Sequence, residues 1–398
     1  MTGFQTMRLA DFCKTGSGST PSRSQMDRYY ESGSIPWVKS GELREGIITS
    51  TEEHVTTTAL KETSVKLVPS GAILLAMYGA TVGRLAILGV EATTNQAVCH
   101  IVPDPKIADT RYLYYAIANQ VPSIIAMGVG GAQPNINQGI VKDLVIRIQP
   151  IQEQRRIAAI LDQADALRAK RREALAQLDS LTLSIFVEMF GDVEGNDWAI
   201  SSVADIADAS KGSIRTGPFG SQLLHSEFVK EGVVVLGIDN AVHNEFRWRG
   251  RRFISPEKYR ELKRYTVQPG DVLITIMGTC GRCAVVPADI PAAINTKHIC
   301  CITLDTKKCL PGFLHAYFLM HPIARKYLAQ TAKGAIMDGL NMGIIKAMPV
   351  PLVPMDLQRK FEVRLKSLQK TKSANIAAAT ELDTLFASLQ HQAFNGKL

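Results

Sequence analysis

One block of this chain occurs twice, and that constrains the fold more than any other feature. The stretch Val68-Pro-Ser-Gly71-Ala-Ile-Leu-Leu-Ala-Met-Tyr-Gly79 returns as Val267-Gln-Pro-Gly270-Asp-Val-Leu-Ile-Thr-Ile-Met-Gly278, an offset of 199 (71 to 270). Gly83-Arg84 returns as Gly281-Arg282, and we pair Asn95 with Asn295. Asn137, Gly139 and Lys142 return as Asn341, Gly343 and Lys346, an offset of 204 (137 to 341). Pro150, Gln154, Arg155 and Phe190 keep that offset in Pro354, Gln358, Arg359 and Phe394. The period is too long for a solenoid unit and fits a duplicated domain plus connector. Connector and glycine turns match best. The loops Thr15 to Tyr30 and Lys211 to Phe228 match poorly. One frame carried twice with different loops points to one task performed on two targets.

Each copy reads in two parts. The first is mixed: glycine-bounded apolar runs at Ala72–Met77 and Val272–Met277 suit strands, and Thr110–Ala118 and Gly312–Tyr317 suit short helices. The second part is a long helix. Pro150 and Pro354 stand at helix starts with Glu153 and Asp356 close behind, and no glycine or proline interrupts before Phe190 or Ala393. Apolar residues follow a heptad seam: Ile157, Leu161, Ala164, Leu175, Leu178, Ile185 and Met189 in the first, Phe361, Leu365, Leu368, Ala379, Leu382, Phe386 and Leu389 in the second. Arg168, Arg171, Lys372 and Asn375 fall mid-seam. Forty residues at ~1.5 Å each make a rod of about 60 Å. Two core helices of ordinary domains are one reading. Their length and polar faces favour a long antiparallel pair. The expected fold class is α+β: two duplicated mixed α/β domains, separated by a pair of long antiparallel coiled-coil helices in a pseudo-two-fold arrangement. The expected boundaries are 1–149, 150–190, 191–353 and 354–398.

Two readers on a rigid spacer suit a bipartite DNA target whose half-sites lie on one face of the duplex. Composition agrees without deciding: apolar residues are 46% of 398, net charge is +8 and the isoelectric point is about 9.1. Seven cysteines, an odd count, and an N-terminus without an export pattern suggest the cytoplasm. No run of apolar residues is long enough to span a membrane.

Catalytic signatures are missing. There is no Gly-x-x-x-x-Gly-Lys-Ser/Thr phosphate loop, no Asn/Asp-Pro-Pro-aromatic motif and no Phe-x-Gly-x-Gly. Asp305-Thr-Lys307 resembles half of a nuclease motif but no suitable partner acid precedes it. Cys280-Gly-Arg-Cys283 has zinc-ligand spacing, followed by His298, Cys300 and Cys301. The first copy has Thr81 and Leu85 there instead, so the frame works without those cysteines, and we assign no metal. Cys300 and Cys301 would also face opposite ways in a strand.

Several stretches resemble the specificity subunits of type I restriction-modification systems. Gly217-Pro-Phe-Gly-Ser-Gln-Leu223 resembles the family's early loop. Arg252-Phe-Ile-Ser-Pro-Glu-Lys-Tyr through Gly270-Asp-Val-Leu-Ile274 resembles its central run. Pro150-Ile-Gln-Glu-Gln-Arg-Arg-Ile-Ala-Ala-Ile-Leu161 resembles the start of its connector helix, and Pro354-Met-Asp-Leu-Gln-Arg does so more weakly. The resemblance covers essentially the whole chain. It implies two target-recognition domains, each reading half of an asymmetric bipartite site in double-stranded DNA, and helices that dock two methylation (M) subunits. It implies that S-adenosylmethionine, ATP and Mg belong to partners, with restriction (R) subunits among them, and that this chain binds no cofactor and is no enzyme by itself.

Phosphate contacts need Lys, Arg and N–H groups; base reading needs polar tips facing a groove. Candidates in the first domain are Ser22, Arg23, Lys39, Tyr78, Arg84, Asn95, Gln96, Gln133 and Asn135. In the second they are Arg215, Ser221, Gln222, Asn240, Arg247, Arg249, Arg282, Lys297 and His298. The run from Phe246 to Phe253 interleaves charge with aromatics, as a backbone clamp or a solvated hairpin edge would. Gly79 and Gly278 read as turn formers, and Asn137 and Asn341 as backbone caps. Two rivals remain open: an enzyme in which the cysteine cluster or an unrecognised acid set does chemistry on DNA, and a self-sufficient DNA-binding or architectural protein.

Overall fold

In a computed structural model, residues 4–128, 135–191, 196–250, 252–332 and 339–398 are described. Two helices of 40 residues dominate, Ile151–Phe190 and Met355–Phe394. Each begins one residue after the proline expected at its start. The Pro150 carbonyl accepts from the Gln154 N–H at 3.1 Å, and the Pro354 carbonyl from the Gln358 N–H at 3.2 Å.

The chain forms two compact units. The first comprises 1–172 and 377–398, and the second comprises 173–376. The division falls inside the long helices, not at their ends, because the apolar residues at the helix ends pack into the globular cores. In the first unit Ile157, Leu161, Ala164, Phe386 and Ala393 are buried with Leu9, Tyr112 and Tyr115. In the second, Phe186, Phe190 and Phe361 are buried with Phe313 and Tyr317. Each core thus takes the start of one long helix and the end of the other.

Within each unit the two helix segments run antiparallel. In the first, the Arg156 guanidinium donates to the Leu398 carbonyl at 3.1 Å, and Arg168 pairs with Asp383 at 2.6 Å. In the second, Asp179 meets Lys372 at 2.7 Å and Glu188 meets Arg364 at 3.5 Å. Every heptad residue of the expected seam is buried or half-buried.

The two units repeat one strand plan. The first has a five-stranded sheet ordered Cys13–Ser17, Val98–Pro103, Ile73–Ala76, Leu85–Leu88, Ile47–Ile48. The second has its four-stranded counterpart: Ile214–Thr216, Ile299–Ile302, Val272–Thr275, Cys283–Val285. In both, the central strand is buried along its whole length, which explains an unbroken apolar run in place of alternation. It is entered through Gly71 (φ 86°) or Gly270 (φ 83°), a left-handed turn that other residues resist. A smaller sheet contains one parallel pair in each unit, Ile35–Val38 with Thr93–Thr94 and Val233–Leu236 with Ala293–Asn295. A ribbon of Gln5–Arg8 with Val145–Ile148, and of Ile200–Ser202 with Pro349–Pro351, completes each plan. The expected short helices extend further, over Thr110–Ala126 and Pro311–Met320.

Candidate nucleic-acid interface

In each unit a few backbone hydrogen bonds gather distant loops at one end of the parallel strand pair. In the first unit Ser19 N–H donates to Thr94 O at 2.9 Å and Asn95 N–H to Val38 O at 2.9 Å. Met77 N–H donates to Ala97 O at 2.8 Å and Ile136 N–H to Met77 O at 2.7 Å. These bonds bring Ser22, Arg23, Lys39, Tyr78, Asn95, Gln96 and Asn135 to neighbouring loops, with Arg84 exposed on the turn after Tyr78. Gln133 lies outside the described residues.

The second unit repeats two of these bonds, those of Asn95 and Met77, and adds one from Gly217. Gly217 N–H donates to Thr296 O at 3.3 Å, Thr296 N–H to Leu236 O at 2.9 Å and Ile276 N–H to His298 O at 2.9 Å. They gather Ser221, Gln222, Arg282, Lys297 and His298, all exposed or half-buried. The matching bonds also correct the pairing of Asn95 with Asn295. Asn95 and Thr296 both donate to the strand Ile35–Val38 or its counterpart, so Asn95 is equivalent to Thr296 and Asn295 to Thr94. A one-residue drift had aligned two chemically equal but structurally different asparagines.

Two candidates turn inward. The Arg215 side chain is 11% exposed and pairs with Asp271, itself 1% exposed, at 2.7 Å. It also donates to Thr303 Oγ1 at 3.0 Å, so its charge neutralises a buried carboxylate and is not free for a phosphate. Asn240 is buried. Its Oδ1 accepts from Gly237 N–H at 2.9 Å, and its amide donates to the carbonyls of Arg247 at 2.8 Å and Arg249 at 3.2 Å. Asn240 therefore shapes the loop that presents the arginines. The loop's described residues Phe246–Gly250 lie in no strand, between the antiparallel strands Val233–Leu236 and Phe253–Ile254, and Phe246 packs edge-on against Trp248 at 5.1 Å. Arg251 lies outside the described residues.

Electrostatics separate the two ends. In the first unit Arg23 pairs with Glu53 at 2.6 Å, and Lys39 with Glu52 and Glu53 at 2.9 Å each. Hydrogen bonding from Arg23, with Lys39 beside it, pulls the Glu53 carboxyl down to about 2. Thr20 donates to Gln96 Oε1. In the second unit Arg247 pairs with Glu245 at 3.1 Å. The charged groups of Arg249, Arg282 and Lys297 have no ion pair or hydrogen bond among the described residues. Burial, then Lys297 and Arg252, lower the His298 pKa, so this ring is neutral at pH 7 and offers hydrogen bonds, not charge. Gln222 is held by Tyr265 Oη–H, which donates to its Oε1 at 2.9 Å.

The cysteine cluster is core. Cys283 and Cys300 both lie opposite Ile274 on adjacent strands, on one face of the sheet, and Cys301 belongs to the cluster on the other. Cys301 donates its thiol to Asp271 at 3.0 Å. Burial pushes the Cys300 thiol up to about 12 and Cys283 higher still, which keeps both protonated. Among the described residues no group of three or more His, Cys, Asp or Glu is placed to hold a metal. Asp305 accepts from Lys307 N–H at 3.0 Å, a turn.

Some structural determinants escaped sequence comparison. A Cβ on Gly18 would stand 1.9 Å from the Thr94 carbonyl oxygen, and one on Gly217 1.9 Å from that of Asn295. These glycines share the 199 offset (18 to 217) inside loops that otherwise do not match. Asn137 and Asn341 cap short helices, accepting from Ile140 N–H at 3.0 Å and Ile344 N–H at 2.9 Å, as expected. Gly79 (φ 80°) and Gly278 (φ 72°) form left-handed turns.

Two units of one strand plan, each built round the start of one long helix and the end of the other, present polar loops of different chemistry. Residues 1–177 match the Type I restriction modification DNA specificity domain family. The Type I restriction enzyme EcoR124I/EcoR124II specificity subunit of Escherichia coli is 29% identical over 172 residues, 42% of this chain and 42% of that one. The Type I restriction enzyme MjaVIII specificity subunit of Methanocaldococcus jannaschii is 21% identical over 388 residues, 92% of this chain and 86% of that one. The crystal structure of the type I system S subunit from M. genitalium superposes with a TM-score of 0.60 at 15% identity, covering 99% of this chain and 96% of that one. The chain is thus similar to specificity subunits of type I restriction-modification systems, through the family model over residues 1–177 and through the M. jannaschii relative over 92% of this chain.

Proposed function

We propose that this chain selects the DNA sequence on which a type I restriction-modification complex acts, and performs no chemistry itself. Each unit reads half of a bipartite double-stranded target, and the helix pair sets the gap. Two methylation subunits carrying S-adenosylmethionine dock on the helices. Restriction subunits bring ATP and Mg chemistry, and the assembly works in the cytoplasm. The observation that carries this reading is the same strand plan and two shared gathering bonds in both units, beneath tips of different chemistry. Exposed Leu167, Leu181, Leu183, Val187, Val363 and Leu385 on the long helices support partner docking. No helix among the described residues is long and apolar enough to cross a membrane.

Co-expression with methylation subunits tests the reading. Co-elution, with adenine methylation of duplex DNA by the complex alone, is expected. Methylation or cleavage by the isolated chain would sink it in favour of an enzyme. Full sequence discrimination by the isolated chain would favour a self-sufficient binder.

A further inference from the structure

Two of the three candidate DNA-binding cations in the first unit, Arg23 and Lys39, are already bonded to carboxylates, while Arg84 is exposed. The Arg23 guanidinium stacks 4.4 Å from the Tyr30 ring centre and 5.1 Å from that of Trp37, while its Nη1 donates to Glu53 at 2.6 Å. Lys39 Nζ bridges Glu52 and Glu53, each at 2.9 Å. Glu42 fixes the arrangement from beneath: its carboxylate accepts from Lys39 N–H and Glu52 N–H, both at 2.8 Å. Glu53 itself sits in the strand Glu53–Val55, paired with Trp37. This is a built lattice of two cations and two anions on a rigid edge, beside the loop that carries Asn95 and Gln96.

A phosphate approaching Arg23 or Lys39 finds the nearest donors already committed to carboxylates and meets the repulsion of Glu52 and Glu53. A base edge is different. An amino group of cytosine or adenine can donate to a carboxylate while a guanine or thymine oxygen accepts from the cation. The lattice therefore suits a pattern of donors and acceptors and disfavours bare charge. The second unit shows the contrast, since Arg249, Arg282 and Lys297 carry no such partners among the described residues.

We propose that Glu52 and Glu53 are specificity-determining residues: they act as internal counter-anions that hold Arg23 and Lys39 away from the phosphate backbone and so suppress sequence-independent binding by the first unit. This rests on the DNA-reading function above.

The test uses the full chain and a random-sequence 40-base-pair duplex, titrated between 50 and 200 mM salt. The E52Q/E53Q variant keeps side-chain size and removes the counter-charge. It should bind the random duplex about tenfold more tightly at low salt, with the logarithmic salt slope steeper by one to two. The charge-matched E173Q/E188Q variant on the first long helix should not. In the converse experiment R23A/K39A should lose less than twofold, and R249A/R282A about tenfold. Equal tightening by E173Q/E188Q, no change in E52Q/E53Q, or a tenfold loss in R23A/K39A overturns the proposal while leaving DNA reading intact. No binding of the duplex by the wild-type chain or any variant at 50 mM salt overturns both.

Discussion

Arg84 and Arg215 show why residue type alone does not reveal a role. Both are arginines near candidate loops, yet Arg84 is exposed and Arg215 neutralises the buried Asp271. The two substitutions should separate cleanly. Arg84→Ala should leave stability within about 0.5 kcal/mol and reduce the salt slope of DNA binding by about one. Arg215→Ala should cost roughly 3–5 kcal/mol in denaturant unfolding, because it strands a buried carboxylate. Equal stabilities of the two variants would contradict these assignments. The difference was not legible in sequence because Asp271 replaces Ala72 of the first copy, and only the strand register reveals that Arg215 stands opposite Cys301, beside that acid. Asn240 was hidden similarly: a side chain that bonds three backbone groups looks the same on paper as one that reads a base. Gly18 and Gly217 were legible in principle through their shared offset, but the unlike residues around them masked it.

At the scale of elements, the long helices were the most legible part of the chain. An uninterrupted heptad pattern after a proline needs little tertiary help to declare itself. Its mid-seam polar residues turn out to be paired. Arg168–Asp383 in one unit and Lys372–Asp179 in the other are repeat-equivalent bridges, each partner displaced by 204 (168 to 372, 179 to 383). Gln154 and Gln358 are a second matched device, buried in both copies. Each accepts from a loop N–H, that of Asp109 at 2.9 Å and of Leu310 at 2.8 Å, and donates to two carbonyls. They fasten each helix start to the domain helix beside it. Sequence showed that these glutamines recur but not why, since their partners lie some 45 residues away. Phe190 closes the second core against Phe313 at 5.0 Å and Phe361 at 5.2 Å. Phe190→Ala should therefore cost about 3–5 kcal/mol. A cost below 1 kcal/mol by urea unfolding would show that the helix end is not part of that core.

For the molecule as a whole, duplication decides the account. The frame is specified twice by buried strands, left-handed glycine turns and helix anchors, all of which leave periodic traces in the sequence. The reading tips leave none, because their chemistry depends on which loops the backbone gathers and on which cations are already neutralised. The central claim is that two readers recognise two half-sites whose separation is set by the helix pair. The direct measurement is the methylation motif of the assembled complex, mapped for the wild-type chain and for a variant with seven residues inserted into each long helix. Seven residues add about 10 Å of helix. The account predicts a bipartite motif with unchanged half-sites and a gap longer by up to about three base pairs, at roughly 3.4 Å per pair. An unchanged gap, or a continuous motif in the wild type, would contradict it.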